Sequence, residues 1–412
     1  MEASSGCKTQ LQCPPSSRQC PPVCTGAPTT GSGVTVRRFA VIAGGGTAGH
    51  VQPALALAEA LVERGHPRDE VLLVGSARGS DQVVMEDRGF PVDVLPGRGV
   101  ARSLAPRALV RNLGAVAGIG LGVVRSLRLV RSARPSVVVA VGGYASVGPA
   151  FAALATGTPL VVVNVDAVPG AANRLFGRFA AACLVGWPGT DLPRAVVTGT
   201  PVRPEISAVG RDADARRAAR RQLGLPEDPP TVVAFGGSLG ARRVNEAVAG
   251  MAARWDGRGD RSVYHVVGRR DWEAGVGCTG PGPIVRVPYE ERMALVYTAA
   301  DLVICRAGAM TVAELAAAGV PAVLVPLPGA PGDHQGANAR VLERSGAATV
   351  VTDAECTSER LTKLVDGLLG SPDRLAAMAG AARALASVDA AGAGVEVIET
   401  CARRRWWTRE VS

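Results

Sequence analysis

The chain has 412 residues, too many for one domain of ordinary size and well suited to two. It is 47% hydrophobic but only 4% aromatic, and rich in Ala, Val, Gly and Leu, a palette of helix-covered parallel sheets that argues against a β-sandwich. The net charge of +9 is moderate, so its distribution matters: no acidic residue lies between Val94 and Val165, while arginines recur from Arg98 to Arg134.

Residues 1–35 are rich in Ser, Pro and Thr and hold Cys7, Cys13, Cys20 and Cys24. They lack both the paired spacing of a zinc site and the apolar core of a signal peptide, and are expected to be disordered. Hydrophobic patterning begins at Val36. A strand is predicted over Arg38–Ala43, closed by Gly44-Gly45-Gly46, with helical apolar spacing over Pro53–Arg64. The run Gly44–Gly49 has the spacing of a dinucleotide loop, but such a site also needs an acidic residue ending the next strand. That strand, Glu70–Val74, runs instead into Gly75-Ser76. The loop therefore offers amides and a helix N-terminus to a phosphate, with no sign of NAD. His50 stands where the loop becomes helix. A neutral imidazole there is a candidate base for a sugar hydroxyl, and the helix N-terminus favours its neutral form; a mere helix cap is the plainer reading.

Arg98–Ser132 is predicted as one or two helices. Its apolar run Leu113–Val124 is too short to span a bilayer, which needs about 20 residues, but suits an interface. That favours an anionic membrane surface over nucleic acid, for which interleaved aromatics are missing. A core-facing helix with solvated arginines is the alternative. Next comes the strand Ser136–Val141, ending in the loop Gly142-Gly143-Tyr144-Ala145-Ser146; two glycine loops side by side suit a diphosphate. Leu160–Val165 and Val196–Thr198 are further strands, and the turn Gly199–Pro204 separates a second series.

In that series Thr231–Phe235 leads into Gly236-Gly237-Ser238-Leu239-Gly240-Ala241, and Ser262–Val267 follows. Leu302–Cys305 leads into Arg306-Ala307-Gly308 and a helix over Thr311–Ala318, before the strand Ala322–Val325. Thr311 and Glu314 have the spacing of a capping box, which would occupy Glu314 structurally; otherwise its carboxylate suits the hydroxyls of a ribose. After a Pro/Gly loop, Gln335 and Asn338 place amides one helical turn apart, suited to sugar hydroxyls. No Asp-x-Asp follows a strand, so neither a metal-held diphosphate nor a cofactor is expected. The repeated β-α-β pattern gives an α/β protein of two Rossmann-like parallel-sheet domains facing a cleft, with the glycine loops at its edge.

Five blocks in this order resemble the MurG family of peptidoglycan N-acetylglucosaminyltransferases: Gly44–His50 with Val51-Gln52-Pro53, Gly142–Ser146, Gly199–Arg203, Gly236–Ala241, and Arg306–Glu314 with Gln335 and Asn338. The resemblance runs from about Arg38 to Ala390. It implies a GT-B fold with an acceptor and membrane-docking domain at 36–202, a nucleotide-sugar domain at 203–387, and a helix near 388–404 crossing back onto the first. It also implies an inverting, metal-independent enzyme at the cytoplasmic face of the membrane. That enzyme moves N-acetylglucosamine from UDP-N-acetylglucosamine to the 4-hydroxyl of lipid I, an undecaprenyl-diphosphate-linked acceptor, and so makes lipid II.

Carried over by position, Thr47, Ala48, Gly49, Arg203, Ser238, Ala309, Met310, Thr311, Val312, Ala313, Glu314 and Gln335 would contact the donor, with Asn338 beside them. His50 would be the base, and Gly45, Gly46, Gly142, Gly143, Tyr144 and Ser146 would form the acceptor's diphosphate loops. One departure stands out. Where the family has His-Glu-x-Asn, this chain has Val163-Asn164-Val165-Asp166, so an acceptor-only carboxylate replaces an amide at a substrate-binding position. Ala48 also replaces a loop glycine. A paralogue with another lipid- or peptide-linked acceptor, and a silent precursor-binding scaffold, are the alternative readings.

Overall fold

The computed structural model describes residues 37–410 apart from 47, 78–84, 97–105, 238, 279 and 388, and of these positions 48, 106–117 and 404–410 by backbone only. Two parallel sheets organise them. The first contains β1 (Ala40–Gly44), β2 (Val71–Ser76), β3 (Val92–Leu95), β4 (Val137–Gly142), β5 (Leu160–Asn164), β6 (Ala182–Val185) and β7 (Ala195–Val197), in the order β3-β2-β1-β4-β5-β6-β7. Helices α1 (Ala48–Glu63), α2 (Pro106–Ala133), α3 (Val147–Ala155) and α4 (Ala171–Gly177) connect them. The central strands are buried along their whole length because helices cover both faces, which is why they read as continuous apolar runs.

The second sheet contains β8 (Thr231–Phe235), β9 (Ser262–Val266), β10 (Ile284–Val287), β11 (Leu302–Cys305), β12 (Ala322–Leu324) and β13 (Ala348–Val350), in the order β10-β9-β8-β11-β12-β13. Around it lie α5 (Pro204–Ser207), α6 (Ala213–Gln222), α7 (Arg242–Arg254), α8 (Arg269–Glu273), α9 (Met293–Ala299), α10 (Ala309–Ala318), α11 (His334–Arg344), α12 (Ser358–Leu369) and α13 (Pro372–Leu385). Strand order reverses between β1 and β4 in one sheet and between β8 and β11 in the other. Those switch points open the crevices where ligands of such sheets bind. The two doubly wound sheets expected from the sequence are therefore present.

Differences are local. The first helix starts at Ala48 rather than Pro53, so Pro53 lies inside it. Arg98–Ser132 resolves into the single helix α2, with 97–105 outside the described residues. Strands β3, β6, β10 and β13, of three or four residues each, were not anticipated.

The last helix, α14 (Ala390–Glu410), returns to the first sheet, where Val395, Ile398, Cys401 and Ala402 are buried in one core with Ala40, Leu57 and Leu184. Gly394 permits the approach, since a Cβ there would stand 2.9 Å from Leu57 Cδ2. Glu399 anchors the helix, accepting from Arg64 Nη2 at 3.0 Å and bonding His66 Nε2 at 3.1 Å. The outgoing and returning segments cross at Gly199, whose φ is +82° and where a Cβ would lie 2.4 Å from Ser387 Cβ.

Candidate active site

In the first lobe, two strand-to-helix junctions interlock because they lack side chains. Gly142 and Gly143 have φ of +124° and +73°, and Gly46 has +94°, conformations that L side chains rarely adopt. A Cβ on Gly142 would sit 2.6 Å from His50 Cδ2 and 2.9 Å from Nε2; one on Gly143 would sit 2.1 Å from the Gly45 carbonyl oxygen and 3.2 Å from His50 Nδ1. The half-buried imidazole of His50 thus lies against bare backbone at the start of α1. The Tyr144 ring covers Gly46, and its hydroxyl bonds Ser76 Oγ at 2.5 Å. Ser146 donates to the Gly143 carbonyl at 2.9 Å. Both hydroxyls shape the loop, which leaves backbone amides and the helix N-terminus to meet an anion. Gly49 lies in the first turn of α1, Ala48 is placed by its backbone alone, and Thr47 is outside the described residues.

The matching junction in the second lobe leads from β8 to α7. Ser238 is outside the described residues. Gly240 (φ +94°) donates to the Gly237 carbonyl at 2.9 Å, and a Cβ on it would lie 2.6 Å from Asp271 Oδ2. Beneath it, Asn245 Nδ2 donates to the Val267 carbonyl at 2.9 Å and to Asp271 Oδ2 at 3.0 Å, while its Oδ1 bonds His265 Nε2 at 3.0 Å. His265 is fully buried, and burial pulls its pKa down to about 4, so it is neutral.

Helix α10 begins at Ala309 with the extended residue Gly308 as N-cap. Thr311 is therefore the third helical residue, and the capping-box expectation is overturned. Glu314 turns instead toward Tyr297, whose hydroxyl donates to Oε2 at 2.9 Å, and Arg203, whose Nη2 stands 3.5 Å from Oε1. Burial raises the carboxyl pKa of Glu314, opposed by the Arg203 charge and the Tyr297 bond. Val312 and Ala313 are buried and offer the site only backbone; Met310 and Thr311 are half-buried. Ala309 is buried in the core of the first lobe, so the start of α10 abuts that lobe.

Asn338 is corrected from a sugar ligand to an internal tie. It is fully buried, its Nδ2 donates to Asp166 Oδ1 at 2.8 Å and to the Ala307 carbonyl at 3.2 Å, and its Oδ1 accepts from the Ala167 amide at 2.8 Å. Both N–H donors are used, and at 0% exposure the side chain presents no surface to a hydroxyl. Asp166 is drawn into the same tie, which links the loop after β5 to α11. Asn164 is spent as well, donating to the Asp166 carbonyl at 2.6 Å and accepting from Asn173 at 3.0 Å. Both departures from the family pattern, Asn164 and Asp166, are thus held by bonds within the protein. Gln335 accepts from the Leu327 amide at 2.9 Å through Oε1, and its amide nitrogen stays available.

Sequence reasoning missed Tyr297, fully buried on α9, and the Asn245, His265 and Asp271 cluster; neither carries a local motif. The apolar run Leu113–Val124, expected to suit an interface, is exposed at its end beside apolar residues of adjoining helices that the sequence did not single out. Leu121 and Val124 of α2, Phe151 of α3, and Leu175 and Phe179 at α4 are exposed by 64%, 47%, 48%, 53% and 63%, and Arg125, Arg128, Arg174 and Arg178 are exposed on the same elements. No helix of the described residues is long and apolar enough to cross a membrane.

Comparison with known proteins places this geometry. Residues 40–185 match the glycosyltransferase family 28 N-terminal domain and 231–392 its C-terminal domain. A protein of Desulforudis audaxviator, named UDP-N-acetylglucosamine--N-acetylmuramyl-(pentapeptide) pyrophosphoryl-undecaprenol N-acetylglucosamine transferase, is 39% identical over 88% of this chain and 98% of its own. A Nocardioides protein of the same name is 42% identical over 85% and 94%. The crystal structure of Acinetobacter baumannii MurG superposes with a TM-score of 0.68 at 30% identity, covering 89% of this chain and 99% of that one.

Proposed function

Because the chain belongs to glycosyltransferase family 28 and, within it, to the MurG group, we propose that it transfers N-acetylglucosamine from UDP-N-acetylglucosamine to lipid I, giving lipid II. Two observations support this reading: His50 is seated on Gly142-Gly143, and Ala309, the first residue of the helix that carries Glu314, is buried in the core of the same lobe. His50 accepts the proton of the acceptor's 4-hydroxyl as that oxygen attacks the anomeric carbon. UDP leaves from the opposite face in one displacement, and the configuration inverts.

The donor's diphosphate lies between the N-termini of α7 and α10, where amides of Ala309, Met310 and Thr311 and the loop with Ser238 supply its charge partners. Glu314 accepts from the ribose hydroxyls, Arg203 lies beside it, and Gln335 reaches the sugar through its open amide nitrogen. The acceptor's diphosphate lies on the loops of Gly45, Gly46 and Gly142–Tyr144. The apolar surface of Leu121, Val124, Phe151, Leu175 and Phe179, with its arginines, rests on an anionic membrane surface, which brings the lipid-linked substrate to the glycine loops.

The test is product analysis by mass after incubation with lipid I and a panel of UDP-sugars. The reading expects lipid I to gain one N-acetylhexosamine, with release of UDP, from UDP-N-acetylglucosamine in preference to the others. Transfer to a different acceptor only, or UDP binding without transfer, overturns it.

A further inference from the structure

Tyr297 touches both halves of the donor site from beneath. Its hydroxyl is the closer of the two groups on Glu314, at 2.9 Å against 3.5 Å for Arg203, and the latter is long for a charge-assisted bond. Its ring meets Phe235 edge-on, with centroids 6.2 Å apart at 70°. Phe235 is the last residue of β8, directly before Gly236-Gly237. The backbone carbonyl of Tyr297 is itself held, accepting from Arg211 Nη1 at 3.1 Å.

We propose that Tyr297 is a positioning residue for the donor: its hydroxyl orients Glu314 toward the ribose while its ring braces the strand end that carries the phosphate loop. The proposal rests on the assignment of Glu314 to the ribose hydroxyls. Burial and the neighbouring carboxylate push the phenol's pKa well up, so Tyr297 acts only as a donor here. With Tyr297 on Oε2 and Arg203 by Oε1, each carboxylate oxygen is engaged once and keeps acceptor capacity for one hydroxyl of a vicinal diol. A buried tyrosine hydroxyl always seeks an acceptor, so burial alone would say nothing. What distinguishes this one is that its acceptor is the site's own carboxylate.

The test compares Tyr297→Phe with the unaltered enzyme, using UDP-N-acetylglucosamine and its 2′-deoxyribose analogue as donors. KM for the ribose donor is expected to rise about tenfold or more, the loss typical of one hydrogen bond to a charged group, with a smaller change in kcat. The effect is expected to shrink with the deoxy donor, which already lacks one of the hydroxyls held by Glu314. An unchanged KM, or an equal loss with both donors, overturns the proposal. If the carboxylate left with Arg203 as its remaining partner in Tyr297→Phe prevents folding, Tyr297→Phe with Glu314→Gln removes that charge. The pair should then bind donor as Glu314→Gln alone does, and a further loss overturns the proposal. Glu314→Gln with normal donor KM overturns the ribose assignment itself, and the proposal with it.

Discussion

Replacing Gly142 by alanine adds one methyl group where the imidazole of His50 already lies. The new Cβ would stand 2.6 Å from His50 Cδ2, and an ordinary contact begins at 3.4 Å, so the ring must retreat by about 0.8 Å. The backbone φ of +124° adds strain of roughly 1–3 kcal/mol for any L residue. A displacement near 1 Å of a reacting group costs on the order of a hundredfold in rate, so kcat should fall by roughly ten- to a hundredfold. KM for UDP-N-acetylglucosamine should stay within about twofold, because the donor is held mainly by the other lobe. Steady-state turnover on a short-chain lipid I analogue measures both, with a melting curve to record the strain separately. His50→Ala supplies the control: if the methyl acts through the imidazole, Gly142→Ala adds nothing to it. Near-normal turnover in a folded Gly142→Ala protein, or a further large drop in the double variant, would refute the seating of His50 as the reason for these glycines.

His50→Ala alone should lower kcat on the order of 10²–10⁴-fold and leave donor KM nearly unchanged; equal loss in both would make the residue a donor contact rather than a base. His265 keeps a folded pKa of about 4 against roughly 6.5 when unfolded, so between those values only the unfolded chain binds the proton. Stability is therefore complete above that window and falls on acidification through it, by up to about 3 kcal/mol. His265→Gln should flatten this part of the curve of melting temperature against pH, and an unaltered slope would contradict the assignment. Leu121→Ser with Phe179→Ser should weaken binding to anionic vesicles about a hundredfold or more, at about 1.5–3 kcal/mol for each of the two apolar side chains withdrawn from the interface. Activity on a soluble acceptor should persist, and unchanged vesicle binding would place the contact elsewhere.

The strand, glycine loop and helix units were legible because each central strand is buried on both faces and its loop needs glycine for steric reasons. Thr231–Phe235 and Leu302–Cys305 match their expected bounds for that cause. Short strands such as Val92–Leu95 and Ile284–Val287 are edge strands, partly buried and broken by Asp93 or Arg286, and too brief to show a period. Glu314 could be picked out by type, but the choice between cap and ligand turned on where the helix begins, and Gly308 moved that start three residues ahead of Thr311's expected place as N-cap. Asn338 misled because its partner Asp166 lies 172 residues away. No local pattern announces that an amide is already taken, and the same holds for Tyr297, whose role depends on what folds above it.

The return of α14 to the first lobe also sets a timetable for biosynthesis. Val395, Ile398, Cys401 and Ala402 complete a core whose other buried members, Ala309 apart, are made far earlier, from Ala40 to Leu184. At about 5–20 residues per second, a ribosome needs roughly ten to forty seconds to travel from one to the other. Throughout that interval the nascent first lobe shows the apolar face of α1 to its surroundings, and it must be sheltered until the final helix emerges and docks. The second lobe, continuous from β8 to α13, has no such wait. The lobe made first is therefore the last to finish folding.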